Sequence, residues 1–336
     1  MEYGIVKNGL VYIVIINWNG WRDTMQCIDS LRKLTYPLYR VVVIDNGSTD
    51  ESVSKLQACV PYIDLIKTGK NLGFSGGNNV GIRWAIEQKA SYVLLLNNDT
   101  VVAPDLLDAF VKVADTHPDV AAMAPKIYYF DQPDLLWFAG GKAHNRLDSP
   151  DHLGGGEKDK GQYDQVCDTP FINGCAFFAR TKTIADIGLL DERYFYMFED
   201  TDWTMRFLQA GYRCLYVPQA RLWHKAHGAT GGERTPCWCY FYERNRLLWL
   251  KTHFSKIGLG TVLRSVLISV AREIGIPINM RRPHIRLGRC WRGCLNGIAM
   301  LIGVVDYLRG YCGECPPYVR CLGRGFLSRN KKINIF

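Results

Sequence analysis

Hydrophobic runs alternate with segments of helical period along the first part of the chain. Short apolar runs rich in β-branched residues predict four buried strands, at residues 11–16, 41–44, 63–66 and 92–96. Helices are expected between them, over residues 23–34 and in a segment that ends near residue 88. Buried strands that alternate with helices are typical of a mostly parallel sheet flanked by helices, so the pattern predicts an α/β fold.

The same pattern continues to about residue 253. The further expected elements are a helix from residue 104, strands from residue 120, over 171–179 and over 214–217, and helices over 200–210 and 238–253. Residues 131–166 contain a triple glycine and many charges, which predicts irregular loops or hairpins over the sheet.

The last part of the chain, residues 255–336, is basic and amphipathic. It contains fourteen Lys or Arg and three acidic residues, a net +11 within a chain of 336 residues and net charge +9. One helical face over residues 259–274 is apolar: Leu259, Val262, Leu263, Val266, Val270 and Ile274. Residues 295–305 are apolar all round but too few for the ~20 that span a bilayer. We expect a helical extension that binds an anionic membrane surface; alternatively, its helices pack on the rest of the chain and its arginines are solvated.

The cysteines and the first residues bear on where the protein works. Twelve cysteines are scattered along the chain, as is common for reduced thiols in a cytoplasmic protein. The start, MEYGIVKNG, lacks the basic and apolar segments of a secretory signal. We therefore expect a cytoplasmic protein, peripheral on the cell membrane. A zinc site among irregularly spaced tail cysteines stays open as an alternative, whereas no nucleic-acid partner is expected because the tail arginines are interleaved with an apolar face.

Polar clusters follow the predicted strands where each strand ends. There are four of them: Asn17 to Gly20, Asp45 to Asp50, Asn71 to Asn79, and Asn97 to Asp99. One such cluster alone is typical of a turn. The carboxyl ends of parallel strands meet at one edge of a sheet, where open α/β sheets bind ligands. Four clusters together therefore predict a crevice for a polar ligand.

The glycine-rich fingerprints of common nucleotide-binding loops are missing from the sequence. A nucleotide held at this edge needs another device, and a divalent cation that bridges a diphosphate to a carboxylate is one. Asp99 is the natural ligand for such an ion. In the second half, Glu199, Asp200 and Asp202 crowd the first turn of a helix, where repulsion raises at least one pKa toward that of a general base. His224 follows the last strand and is either a structural histidine or a metal ligand.

Eight motifs agree in order and spacing with one family. They are IINWNG, VIDNGSTD, NLGFSGGNNVGI, LLLNNDT, FINGCAFFAR, FEDTDWTMRFLQAGY, WHKAHG and YERNRLLWL. On these motifs the chain, from about residue 11 to 253, resembles inverting glycosyltransferases of family 2, and among them bacterial rhamnosyltransferases of polysaccharide assembly. The resemblance implies a GT-A fold, a nucleotide-diphosphate sugar donor and Mg²⁺ or Mn²⁺.

Carried over to this sequence, the resemblance assigns candidate residues to each part of the site. The nucleotide-sugar would be bound by Asn17, Asn19, Asp45, Asn46, Ser48, Asn71, Asn78 and Asn98. The metal would be bound by Asp99, His224 and Asn97, the last standing where the family carries an acid. Asp200 would be the general base with Asp202 as the rival, and Asn173, Gly174, Glu199 and Trp203 would border the acceptor.

The implied enzyme moves a sugar, rhamnose first among the candidates, from dTDP-rhamnose or a UDP-sugar to a hydroxyl of a saccharide or lipid-linked saccharide. Residues 1–254 would form the catalytic domain, with the donor half over 1–125 and the acceptor half over 126–254, and residues 255–336 the extension. Two alternatives remain: a nucleotidyltransferase acting on sugar phosphates, and a non-catalytic sugar- or membrane-binding module.

Overall fold

The computed structural model describes residues 9–59, 61–142, 151–226, 235–274 and 287–322. These residues form two compact units. Unit 1 contains the described residues up to 192 together with 199–226, and unit 2 contains residues 193–198, 235–274 and 287–322. Residues 281–286, which carry three of the arginines of the basic extension, and the last residues, 323–336, lie outside the described part.

Unit 1 is built on one large sheet. Its strands are β1 (Val11–Asn17), β2 (Tyr39–Asp45), β3 (Asp64–Lys67), β4 (Tyr92–Asn97), β5 (Thr100–Val102), β6 (Val120–Tyr129), β7 (Leu136–Phe138), β8 (Gly141–Lys142), β9 (Asp151–His152), β10 (Cys167–Asp168), β11 (Ala176–Arg180) and β12 (Arg213–His224). Its helices are α1 (Trp21–Leu31), α2 (Ser52–Gln57), α3 (Gly73–Glu87), α4 (Leu106–Thr116), α5 (Thr181–Ile187) and α6 (Glu199–Gln209). The predicted strands and helices of unit 1 are thus confirmed, most with bounds that shift by a few residues. The strand expected over 171–179 is shorter and begins at Ala176, and the last strand is longer than expected.

The strand order of the sheet is β10-β12-β6-β11-β4-β1-β2-β3. Strands β1 to β4 pair in parallel, as do β6 and β12, while β11 runs antiparallel between β4 and β6. The register places Asn17 opposite Asp45 and Ile16 opposite Asn97, so the carboxyl ends of β1, β2 and β4 are level. This edge carries three of the four predicted polar clusters.

The last strand is longer than the sequence predicts. The expected strand ended at residue 217, but β12 continues to His224 after an irregularity between Val217 and Arg221. Pro218 lies at this irregularity, and proline has no N–H for the ladder, which is why the pattern reads as a strand end. As a result, His224 is the final residue of β12 and does not lie in the loop after it.

Unit 2 is helical: α7 (Pro236–His253), α8 (Leu259–Ile274), α9 (Leu287–Leu308) and α10 (Pro317–Cys321). The expected helix over 259–274 is confirmed, but its apolar face divides. Val266 and Val270 are buried in the core of the unit, whereas Leu259 and Leu263 of that face are 73% and 53% exposed, as is Leu267 outside it, at 67%. None of the described helices combines the length and apolar character that a membrane span requires. The expected end of the catalytic domain at residue 254 remains a prediction. In the structure, α7 belongs to the second compact unit.

Polar side chains fill part of the interior of unit 2. Asn245 of α7 is fully buried and donates from Nδ2 to the carbonyl oxygens of Tyr194, Tyr196 and Met197, at 2.7 to 2.9 Å. Arg244 donates to the Tyr194 carbonyl oxygen at 2.7 Å. Met197 has a left-handed φ of 72°, a conformation that non-glycine residues adopt only where the surroundings enforce it. The polar residues of α7 therefore fix the segment at residues 193–198.

Candidate active site

The ends of β1 and β2 carry a hydrogen-bonded network of short polar side chains. Asn17 is fully buried and donates from Nδ2 to Asp45 Oδ1 at 3.2 Å and to Ser48 Oγ at 3.1 Å. Its Oδ1 accepts from Thr24 Oγ1 at 2.8 Å. Asn19 has a left-handed φ of 52°, and its Oδ1 accepts from two backbone N–H groups of the loop after β2, at 2.8 and 3.2 Å. These candidate nucleotide-binding residues lie together, and their hydrogen bonds fix the shape of both loops.

A second network joins the loop after β2 to the start of α3. Asn46 donates from Nδ2 to Asn71 Oδ1 at 3.1 Å and to the Gly73 carbonyl oxygen at 3.0 Å. Asn71 Oδ1 also accepts from the Gly73 N–H at 2.8 Å. Asn78 is buried in α3 and donates to the Phe74 carbonyl oxygen at 3.1 Å. The glycine-rich and asparagine-rich motif therefore serves first to hold this loop against the sheet edge.

The chain turns sharply after β4. The Asn97 N–H donates to the Cys175 carbonyl oxygen at 2.8 Å, which fixes the end of β4 beside the start of β11. Asn98 Nδ2 donates to Thr24 Oγ1 at 3.0 Å, so this side chain fastens the turn to α1. Asn97 and Asn98 both lie at the predicted edge, half-buried, as does Asp99.

Asp99 and His224 form a buried pair at this edge. Strand β5 pairs antiparallel with the end of β12, and His224 lies opposite Thr100. His224 Nε2 is 3.1 Å from Asp99 Oδ1, and the side chains are 8% and 17% exposed. Burial disfavours the charged form of both side chains, but their interaction outweighs the effect of burial. His224 lowers the pKa of Asp99, while Cys175 and Asp99 raise the pKa of His224 well above its ordinary value.

The Asp99–His224 pair fits a divalent cation only in part. Among the described residues, no group of three or more His, Cys, Asp or Glu side chains is arranged to hold a metal ion. The described cysteines of the tail form no such group either. Mg²⁺ commonly binds through one or two carboxylates together with water and substrate phosphates. Asp99 matches that requirement when a diphosphate supplies further oxygens, whereas His224, 3.1 Å away, would have to lose its Nε2 proton before that nitrogen could bind the ion.

The first turn of α6 holds the expected acids. Asp200 Oδ2 accepts from the Gly174 N–H at 2.8 Å and Oδ1 accepts from the Thr201 N–H at 2.7 Å. Burial raises the pKa of Asp200 in spite of these hydrogen bonds. Burial, together with the charge of Asp200, raises the pKa of Glu199 well above its ordinary value, and Glu199 Oε2 has no hydrogen-bond partner among the described residues. The expected pKa rise is present, with burial rather than repulsion as its first cause.

Asp202 and Trp203 lie on the buried face of α6. Asp202 Oδ2 is 2.8 Å from Arg206 Nε, and the Asp202 side chain is 2% exposed. Trp203 is fully buried, donates from Nε1 to the Gly188 carbonyl oxygen at 2.9 Å and packs against Phe177. The structure therefore does not place the Trp203 ring where an acceptor could touch it. Of the two candidate bases, Asp202 is paired with Arg206, whereas Asp200 is partly exposed.

The turn Asn173-Gly174-Cys175 links the two parts of the site. Gly174 donates to Asp200, the Cys175 carbonyl oxygen accepts from Asn97, and the Cys175 thiol lies against His224. A Cβ on Gly174 would lie 3.3 Å from Asp200 Oδ2, so this close approach favours glycine. Cys175 was not among the predicted site residues, although it lies within the FINGCAFFAR motif.

Known proteins resemble this chain in sequence. A family model described as Glycosyl transferase family 2 matches residues 12–188. The N-acetylglucosaminyl-diphospho-decaprenol L-rhamnosyltransferase of Mycobacterium tuberculosis is 26% identical over 242 residues, which cover 64% of this chain and 76% of that protein. The dTDP-rhamnosyl transferase RfbF of Shigella flexneri is 23% identical over 276 residues, which cover 78% of this chain and 86% of that protein.

Two solved structures share the fold at low sequence identity. GalNAc-T7 with UDP, GalNAc and Mn²⁺ superposes with a TM-score of 0.62 at 13% identity, covering 96% of this chain and 57% of that one. The mannosyltransferase PcManGT from Pyrobaculum calidifontis, in complex with GDP-Man and Mn²⁺, superposes with a TM-score of 0.53 at 15% identity, covering 97% of this chain and 82% of that one.

Proposed function

The chain belongs to glycosyl transferase family 2, with the GT-A fold expected from its sequence, and from this premise we propose its donor, acceptor and mechanism. The donor is a nucleotide-diphosphate sugar, with dTDP-rhamnose the first candidate because two relatives carry rhamnosyl transfer in their names. The acceptor is a hydroxyl of a saccharide or a lipid-linked saccharide, and the lipid-linked form is suggested by the name of the mycobacterial relative. The role is in cell-surface polysaccharide synthesis.

We assign the general base to Asp200. A base must reach the acceptor hydroxyl and accept its proton, and Asp200 is the partly exposed acid of the first turn of α6. The N–H groups of Gly174 and Thr201 hold one oxygen each, which orients the carboxylate. Asp200 removes the proton as the acceptor oxygen attacks the anomeric carbon. A single displacement of this kind inverts the configuration of the transferred sugar.

Asp99 and His224, with Asn97 at the same strand end, are the residues that would hold Mg²⁺ or Mn²⁺. When bound, the ion supplies Lewis-acid stabilisation of the charge on the departing diphosphate. The networks around Asn17 and Asn46 shape the edge against which the nucleotide lies, with Asp45 beside the base or ribose. The single observation that carries the proposal is the buried Asp99–His224 pair joined through one turn to Asp200.

The test is release of nucleoside diphosphate from a panel of dTDP- and UDP-sugars, measured with Mn²⁺, with Mg²⁺ and with EDTA. We expect metal-dependent release from one sugar donor, faster when a saccharide acceptor is added. No release from any donor would favour a non-catalytic module. Formation of a nucleotide sugar from a nucleoside triphosphate and a sugar phosphate would favour a nucleotidyltransferase.

We also propose that unit 2 binds an anionic membrane surface. The row Leu259, Leu263 and Leu267 on α8 is exposed, and Arg264 and Arg272 on the same helix are exposed as well. On α9 a second apolar row is 43% to 48% exposed, at Ile298, Leu301 and Val305. Exposed apolar side chains next to cations are suited to the interface of an anionic bilayer.

Vesicle flotation tests this membrane proposal. The full chain should float with phosphatidylcholine vesicles that contain phosphatidylglycerol and not with phosphatidylcholine alone. The double variant Leu263→Glu and Leu267→Glu should lose flotation, whereas Leu38→Glu, at a leucine of unit 1 that is 47% exposed, should keep it. Flotation unchanged by the double variant would contradict the proposal.

A further inference from the structure

A second histidine, the half-buried His152, lies close to the turn that binds Asp200. Its ring packs edge-on against Trp137 with centroids 4.5 Å apart, and it also contacts Phe138 and Phe171. Trp137 packs in the same manner against His224, at 4.7 Å. Burial lowers the pKa of His152 to about 4, so the ring is neutral at ordinary pH.

The hydrogen bonds of His152 can be assigned in only one direction. Nδ1 lies 3.2 Å from the carbonyl oxygen of Trp137, which can only accept, so Nδ1 carries the proton. In a neutral ring Nε2 is then an acceptor, and it receives Asn173 Nδ2 at 3.1 Å. Asn173 Oδ1 in turn accepts from the Cys175 N–H at 2.8 Å. The donations therefore run in one direction, from the Cys175 N–H of the turn through Asn173 and His152 to the Trp137 carbonyl oxygen of β7.

The same turn also contacts the candidate base. With Asn173 held at both ends of its amide, the Gly174 N–H points at Asp200 Oδ2, 2.8 Å away. A second bond, from the Ile172 N–H to Thr204 Oγ1 at 3.3 Å, ties the same stretch to α6. His152 is thus the side chain that fixes the amide of Asn173 from outside the turn.

We propose that His152 is a positioning residue, which through Asn173 aims the Gly174 N–H at Asp200. The inference rests on the proposed role of Asp200 and assigns a role to a residue that the family resemblance does not include. It also revises the expected role of Asn173: its amide is used within the protein to shape the turn, and contact with the acceptor falls to other groups.

Loss of the His152 acceptor would leave the Asn173 amide with an unsatisfied donor. A donor without a partner is unfavourable at this part-buried site, so the amide would rotate and release the Cys175 N–H. The turn would relax and the Gly174 N–H would leave Asp200. Because this hydrogen bond holds down the pKa of Asp200, its loss raises that pKa and moves the acidic limb of the rate profile to higher pH.

The kinetic test compares His152→Phe with His152→Gln. Phenylalanine keeps the ring and removes both nitrogens, and we expect kcat to fall about 10- to 100-fold with the donor KM nearly unchanged. Glutamine supplies one acceptor and one donor and should recover most of kcat and the original pH profile. His117→Phe, at a histidine at the C-terminus of α4, is the matched control. A normal kcat and pH profile in His152→Phe, or a glutamine variant no better than phenylalanine, would overturn the proposal.

A measurement on the unmodified chain keeps the proposal testable if the variants do not fold. In NMR spectra of the ¹⁵N-histidine-labelled protein, we expect His152 to stay neutral from pH 5 to 8 with the proton on Nδ1. Titration of His152 near its ordinary pKa of 6.5, or a proton on Nε2, would overturn the proposal whatever the activity. Full activity in Asp200→Asn would instead overturn the proposed base and leave the spectra as evidence on His152 alone.

Discussion

Two regions of this protein bury polar side chains, and they do so in different ways. In α7, Glu243 and Arg246 are fully buried and face each other, with Arg246 Nε 3.1 Å from Glu243 Oε2. At the edge of the sheet in unit 1, Asp200 and Glu199 have raised pKa values, and Glu199 leaves one oxygen without a partner among the described residues.

The two regions show that buried polar side chains can stabilise the fold or take part in the chemistry. A buried ion whose partner neutralises it holds the fold, because removal of either partner leaves an uncompensated charge. A buried carboxyl whose pKa is displaced is held in a state that favours proton transfer. We therefore expect substitutions in α7 to lower stability with normal turnover, and substitutions at the sheet edge to lower turnover with near-normal stability.

The largest effect is expected for Asp200→Asn. Removal of a general base commonly lowers turnover by about 10²- to 10⁴-fold, and the amide keeps the shape of the carboxylate. Donor affinity and Tm should stay close to wild type. Asp186→Asn, an exposed aspartate on α5, is the control and should behave as wild type. Near-normal turnover in Asp200→Asn would move the base to another residue.

Arg246→Met should give the largest loss of stability. It leaves Glu243 buried without its guanidinium, and breaking a buried pair costs about 3 to 5 kcal/mol of unfolding free energy. Denaturant unfolding measures this loss, and turnover per folded molecule should be unchanged. Arg83→Met removes an exposed pair with Glu192 at 3.3 Å and should cost less than about 1 kcal/mol. Equal losses in the two variants would contradict the comparison.

Asp202→Asn tests whether Asp202 is a structural ion-pair partner or the catalytic base. Its ion pair with Arg206 resembles the α7 pair, so we expect a loss of about 1 to 3 kcal/mol and less than about a tenfold fall in kcat. The same activity and unfolding measurements apply. A fall in kcat as large as that of Asp200→Asn, at normal stability, would make Asp202 the base.

Glu199→Gln should stabilise the protein slightly at neutral pH. Burial raises the pKa of Glu199 above its ordinary 4.5, so the folded state resists the charged form. The wild type therefore loses stability as the pH rises above the ordinary value toward the raised one, and glutamine carries no such loss. Tm measured from pH 4 to pH 8 should show a variant advantage that grows with pH. An advantage that grows toward acid pH would mean that the pKa is lowered instead.

The local pattern of apolar and polar residues was sufficient to predict much of the fold. The runs at 11–16 and 92–96 are apolar enough to be buried on both faces, and they became β1 and β4. The strand ends then placed Asn17, Asp45 and Asp99 at one edge, because parallel strands share that edge. The length of β12 was missed because Pro218 interrupts the ladder without ending the strand.

The rest of the site depends on pairings between distant segments. Asp99 meets His224 only because β5 pairs with β12, and His152 of β9 meets Asn173 across 21 residues of sequence. Periodicity carries no signal for such contacts, and only the family resemblance had placed His224 at the metal. Trp203 was misplaced because its ring is fully buried against Phe177, although it lies only three residues beyond Asp200.

The most direct test of the central claim is the Mn²⁺-dependent shift in Tm on addition of dTDP-rhamnose. A donor at a hundred times its Kd stabilises the folded state by about 2.7 kcal/mol. If the sheet edge is the site, wild type and Arg246→Met should both show the shift, although Arg246→Met starts from a lower Tm, and Asp99→Asn should lose it. A full shift in Asp99→Asn, or a shift lost in Arg246→Met alone, would contradict the account.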